Sequence, residues 1–139
     1  WHGQAAEGET MRVLLADDHP KVRFALNALL KQRPKIVVLG EAKDADELMA
    51  KLADGQPELL LIDWQLPGLD EAGSIAALRQ GHPDLMIVVL SSRPELGREA
   101  LSLGANDFVS KIDPPESLLR AIAACIVRPE TKHVEVNAG

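Results

Sequence analysis

One cysteine, Cys125, is all that the chain of 139 residues contains. An internal disulfide is therefore excluded, and a reducing cytoplasm is the expected setting. Its surroundings, Ala-Ala-Cys-Ile-Val, mark it as a small buried hydrophobe rather than a reactive thiol. Positive charge is also scarce: 15 Lys and Arg stand against 21 Asp and Glu, a net charge of −6. A surface that grips nucleic-acid phosphates needs clustered Lys and Arg, so no nucleic-acid contact is expected of this domain itself. Apolar runs are all far shorter than a membrane span, and no signal-peptide pattern opens the chain, so no membrane attachment is expected. The length supports one domain with a full core, and two would be cramped.

What the chain does have is a series of short apolar runs that end abruptly in polar residues. Residues 1–10 show no hydrophobic period and are expected to be a tag or linker remnant, with Met11 the natural start. Val13 to Ala16 reads as a buried strand ending in Asp17 and Asp18. Ile36 to Leu39 is a second strand, and Leu59 to Ile62 a third, ending in Asp63 before the turn Leu66-Pro67-Gly68. Leu85 to Leu90 ends in Ser91-Ser92, and a short strand from Asp107 to Ser110 runs into Lys111. Helical spacing fills the gaps. Val22, Leu26, Leu29 and Leu30 follow Pro20, with Pro34 as the stop; Ala45, Leu48, Met49 and Leu52 follow a capping pair, Asp44 and Glu47. A third helix is expected over about Glu71 to Gln80, and a fourth from Pro94 to Gly104. The last begins at Pro114-Pro115 and carries Leu119, Ile122, Ala123 and Ile126. The domain thus covers residues 11–127, and residues 128–139 lose the pattern and read as a tail or the start of a linker.

Five strand-then-helix units with near-continuous apolar strands predict an α/β fold: a doubly wound five-stranded parallel sheet with helices on both faces. A barrel would need eight such units. In a parallel sheet every carboxyl end lies on one edge, where ligands bind in open α/β folds. Asp17, Asp18, Asp63, Ser91 and Lys111 therefore converge. Crowded carboxylates raise one another's proton affinity unless a cation is present, and oxygen ligands of this kind suit Mg²⁺. Lys111 adds a mobile ammonium for a phosphoryl oxygen and Ser91 a hydroxyl. Phosphoryl transfer asks mostly for positioning and charge neutralisation, which this group offers.

From about Met11 to Val127 the chain resembles a response-regulator receiver domain of two-component signalling. The matching pieces are Leu14-Leu15-Ala16-Asp17-Asp18-His19-Pro20, Leu61-Ile62-Asp63 with Leu66-Pro67-Gly68, Val89-Leu90-Ser91-Ser92, and Gly104-Ala105-Asn106-Asp107-Phe108-Val109-Ser110-Lys111. The Asp-Asp-His-Pro opening is closest to the NarL/FixJ-type branch. The resemblance implies a flavodoxin-like sheet in order 2-1-3-4-5. It implies that Asp63 accepts a phosphoryl group from a histidine kinase or phosphotransfer protein. Asp17, Asp18, Asp63 and the backbone carbonyl of Gln65 would hold Mg²⁺. Lys111 would pair with the phosphate, and Ser91 and Phe108 would form the switch. Gln65 and Arg93 occupy positions that tune phosphoryl lifetime. The face of the fourth helix, fifth strand and last helix would then form a homodimer or dock an effector.

The family pattern is not met throughout. Ser91 stands where Thr is commoner, and Phe108 where Tyr is frequent. Lys111 precedes Ile112 rather than Pro, which leaves open whether that peptide is cis. His19 is read as a helix-start residue. The resemblance implies no turnover enzyme, only self-catalysed phosphoryl transfer and slow autodephosphorylation. The competing enzyme reading, a Mg²⁺-dependent aspartyl phosphohydrolase, would need a carboxylic acid where Gln65 stands. A flavodoxin-like cofactor binder would need a phosphate-cradling loop in place of Asp-Asp-His-Pro. The output expected is control of a transcription-regulator domain outside this chain, with a stand-alone receiver as the alternative.

Overall fold

The computed structural model describes residues 10–138, with side chains as far as Ile126. The segment read as a tag or linker remnant, apart from Thr10, lies outside the described residues. The elements run β1 (Met11–Ala16), α1 (Pro20–Lys31), β2 (Ile36–Ala42), α2 (Ala45–Gly55) and β3 (Leu59–Asp63). They continue through α3 (Ser74–Gly81), β4 (Met86–Ser91), a 3-10 turn (Pro94–Leu96), α4 (Gly97–Ser102), β5 (Asp107–Ser110) and α5 (Pro115–Ala138). All five strands are parallel, in the order β2-β1-β3-β4-β5. This is the doubly wound sheet expected from the strand pattern.

Strand side chains alternate between two cores. Leu14, Ala16, Leu60, Ile62, Ile87 and Val89 pack with Leu48, Leu52, Ile75, Leu78 and Ala100 of α2, α3 and α4. Val13, Leu15, Leu59, Leu61 and Val88 pack on the other face with Leu30 of α1 and Leu118, Ile122 and Cys125 of α5. Full burial of one such aliphatic side chain is worth about 1.5–3 kcal/mol, so the central strands anchor the molecule. Cys125 is buried, as its apolar setting implies.

Local chemistry explains the element ends. Pro20 opens α1 without sacrificing a needed N–H. Asp44 Oδ1 accepts from Glu47 N at 2.8 Å, and Glu47 Oε1 accepts from Lys43 N at 2.9 Å, so the capping pair forms at the start of α2. α3 begins three residues later than its expected start at Glu71, because the chain from Leu66 to Gly73 winds through consecutive turns. Gly68 and Gly73 take φ of 83° and 97° there, a region that strongly favours glycine. The expected fourth helix is split into the 3-10 turn and the short α4. The backbone of α5 stays helical to Ala138, through the segment set apart in the sequence as a tail. No cis peptide occurs among the described residues, so Lys111–Ile112 is trans.

Candidate functional site

Register brings the polar strand ends level. Ala16 of β1 pairs with Ile62 of β3, Asp63 with Leu90 of β4, and Ser91 with Ser110 of β5. Asp17, Asp63 and Ser91 are buried beneath the loops that follow the strands, and Asp18 is exposed at the rim. Asp17 is held through its backbone as well: its N–H donates to Ala42 O at 3.0 Å, and its carbonyl accepts from Arg23 Nη1 at 2.6 Å. Arg23 is in turn fixed by Glu41 Oε1 at 2.9 Å.

Lys111 bridges the two buried carboxylates. Its Nζ lies 2.7 Å from Asp17 Oδ2 and 3.4 Å from Asp63 Oδ2. Its own N–H donates to Ser91 O at 2.8 Å, which anchors the end of β5 to the end of β4. Asp63 Oδ1 accepts from the backbone N–H of Gln65 at 3.2 Å. Burial pushes the Asp63 carboxyl above the usual carboxylate value, and the nearby charge of Asp17 adds to this. The Gln65 N–H and the Lys111 ammonium pull the other way. The balance describes a buried carboxylate whose negative charge is only partly met by the protein.

The remaining expected residues stand around this centre without all reaching it. The Ser91 hydroxyl oxygen accepts from Arg93 N at 3.0 Å and so faces its own loop. Arg93 turns outward, its Nε 3.0 Å from Glu95 Oε2. Phe108 is half-buried against the core on the α4 side, beside Gly97. The side chain of Gln65 is exposed.

One residue joins that sequence reasoning left at the margin. His19 is the N-cap residue of α1, as its position suggested, yet its ring also enters the cluster. His19 Nδ1 lies 3.0 Å from Asp17 Oδ1, 3.1 Å from Asp18 Oδ1 and 3.9 Å from Asp63 Oδ2. One donor atom from each of Asp17, Asp18, His19 and Asp63 falls within a set spanning no more than 4.8 Å. Three carboxylates faced by one ammonium, with buried Asp63 reluctant to ionise, fit a divalent cation. The donor set is oxygen-rich and partly open to solvent.

The sequence profile of the response regulator receiver domain matches residues 13–123. The chain belongs to that family. Relatives of this receiver domain include the transcriptional activator protein ExaE of Pseudomonas putida, 34% identical over 81% of the chain and 53% of ExaE. The nitrate/nitrite response regulator protein NarL of Escherichia coli is 33% identical over 82% of the chain and 54% of NarL. The receiver domain thus spans about half the length of these curated relatives. Among solved structures, the isolated REC domain of RcsB from Salmonella enterica serovar Typhimurium, in the presence of phosphomimetic BeF3−, matches with a TM-score of 0.76. The two are 32% identical over 83% of this chain and 87% of that one. Among the described residues, no helix of the receiver is long and apolar enough to cross a membrane.

Proposed function

We propose that Asp63 is the phosphoacceptor of this receiver domain and takes its phosphoryl group from the phosphohistidine of a histidine kinase or phosphotransfer protein. An Asp63 oxygen forms the new bond to phosphorus as the phosphorus–nitrogen bond breaks. The departing imidazole nitrogen keeps that electron pair. The observation that carries this reading is the placement of Lys111 Nζ at 2.7 Å from Asp17 and 3.4 Å from Asp63. A half-buried ammonium there can leave Asp17 for a phosphoryl oxygen without crossing the site.

Asp17, Asp18, Asp63 and the backbone carbonyl of Gln65 are the proposed Mg²⁺ ligands. The bound ion would neutralise charge on the phosphoryl oxygens. Phosphorylation puts new charge beside Ser91 and Lys111, a local change that biases a two-state element. That element is proposed to be the Ser91 loop with Phe108, read out on the α4, β5 and α5 face as a dimer or a docked effector. Exposed Leu101 on α4 supports an apolar contact there. Gln65 and Arg93 are proposed to set how long the phosphoryl group survives. Gln65 cannot act as a carboxylic acid, which supports an acceptor rather than a turnover hydrolase. The whole protein is proposed to be a cytoplasmic transcription regulator whose nucleic-acid contacts lie outside residues 11–127, the proposed receiver boundary.

Intact mass after incubation with acetyl phosphate and Mg²⁺ tests this directly. One phosphoryl group is expected on the parent, none in EDTA and none on Asp63→Asn. A parent that takes no phosphoryl group from acetyl phosphate or from phosphorylated kinase, with Mg²⁺ present, overturns the assignment.

A further inference from the structure

The two oxygens of Asp17 serve different partners. Oδ2 faces the Lys111 ammonium at 2.7 Å, and Oδ1 faces the His19 ring at 3.0 Å. The ring side of the cluster also holds Asp18 Oδ1, 3.1 Å from Nδ1, and the far oxygen of Asp63 at 3.9 Å. An imidazole N–H can be aimed at only one acceptor, yet three carboxylates surround this nitrogen. Taken by itself the Asp17 contact has hydrogen-bond length, but the three distances taken together also suit donors arranged around a shared ion. Donors at about 2.1 Å from an octahedral ion stand about 3.0 Å apart when adjacent and about 4.2 Å when opposite. The two short distances fit adjacent donors, and the third falls between the two.

We propose that His19 Nδ1 is a fourth side-chain ligand of the receiver's cation site, beside Asp17, Asp18 and Asp63, and that it biases the site toward imidazole-binding divalent ions. This rests on the phosphoacceptor reading, in which Asp17, Asp18 and Asp63 hold a cation. Mg²⁺ is a hard ion that prefers oxygen and keeps its waters, so it gains little from the ring. Ni²⁺, Zn²⁺ and Fe²⁺ accept imidazole readily, and affinity for nitrogen donors rises along the first transition row. The ring can serve such an ion because its side chain is 59% exposed, which leaves a path from solvent, while its backbone N–H is fixed to Asp17 Oδ1 at 2.9 Å. Lys111, on the opposite oxygen of Asp17, is not engaged by the ring and remains available to a phosphoryl group on Asp63.

Calorimetric titration of the parent and His19→Ala with Mg²⁺ and with Ni²⁺ tests the proposal, at about pH 8, above the ordinary imidazole range. The parent is expected to bind Ni²⁺ more tightly than Mg²⁺. His19→Ala is expected to weaken Ni²⁺ about tenfold or more and to change Mg²⁺ by less than about twofold. Hyperfine-shifted imidazole resonances should appear in the Ni²⁺-loaded parent and vanish in the variant. Retained Mg²⁺ binding shows that the variant is folded. A Ni²⁺-to-Mg²⁺ preference unaltered by His19→Ala, including a uniform tightening of both, overturns this inference and leaves the phosphoacceptor reading intact. A parent that binds neither ion overturns both.

Discussion

Arg79 Nη2 donates to Asn106 Oδ1 at 2.6 Å, tying the last turn of α3 to the loop that enters β5. The same guanidinium donates through Nε to Gly104 O at 3.0 Å and through Nη1 to the carbonyls of His82, Pro83 and Leu85 at 3.1, 2.9 and 2.7 Å. Asn106 Oδ1 also accepts from Ile87 N at 2.8 Å, so the network reaches into β4. Arg79→Ala leaves several acceptors without this donor and should cost about 3 kcal/mol, read from urea unfolding. Arg79→Lys should recover only part, because an ammonium cannot reproduce the planar fork. The close approach of Gly104 is part of the same joint. Its φ is 114°, and an added Cβ would lie 2.9 Å from Arg79 Cγ. Gly104→Ala should therefore cost about 1–3 kcal/mol, less so once Arg79 is already Ala.

Phe108 is held by the absence of a side chain at Gly97. A Cβ there would stand 3.0 Å from Phe108 Cδ1. Gly97→Ala should shift the Phe108 ring resonances in the unphosphorylated protein while leaving those of Phe24, exposed on α1, in place. Stability should change by less than about 1 kcal/mol, since the helix gains what the ring contact loses. Unmoved Phe108 signals would mean that Gly97 does not set the ring position.

Asp63 should make metal-free stability depend on pH in a defined sense. Its folded carboxyl titrates above the ordinary value of 3.8, chiefly through burial. The folded state therefore disfavours the charged form. The resulting penalty is absent below the ordinary carboxyl range and grows as pH rises through the folded-state value. Asp63→Asn, which carries no charge, should raise the thermal midpoint in EDTA at neutral pH. The advantage should fade as pH drops toward 3.8 and below. Equal midpoints across the range would contradict this account.

Lys111→Ala should leave Asp17, 1% exposed, without its ammonium. Breaking a fully buried pair costs about 3–5 kcal/mol, and partial solvation of the Lys111 amine reduces the expectation to about 2 kcal/mol. Added Mg²⁺ should stabilise the parent by about 2.7 kcal/mol at a hundredfold excess over its Kd. At the same concentration the variant should gain more, because its carboxylates lack a competing cation. Denaturant midpoints with and without Mg²⁺ check both statements, and a variant that gains less than the parent would refute the second.

The parts legible in the sequence are those where one residue type carries its own signal. Apolar runs such as Leu59 to Ile62 declare a buried strand, and the carboxylate that ends the run marks the sheet edge. Asp44 with Glu47 declares a helix start because both partners lie within one turn. Arg79 was not legible, since its partners include carbonyls and an amide as far as 27 positions away. The ring of His19 meets Asp63, 44 positions on in the chain, and no local pattern announces that. The late start of α3 has a different origin. Glu71 and Ala72 suit a helix, yet left-handed Gly68 and Gly73 hold the segment in turns.

The ion pair of Asp17 and Lys111 closes a stretch of 94 positions. Contacts so remote in the chain form only after intervening elements have docked, because the entropy of closing the loop must be met first. A nascent chain that has emerged only through β4 holds Asp17, Asp18 and Asp63 with no ammonium to balance them. On the proposed phosphoacceptor reading, competence to react arrives with the last strand, and a clipped or half-synthesised copy has a repelling acidic mouth in its place.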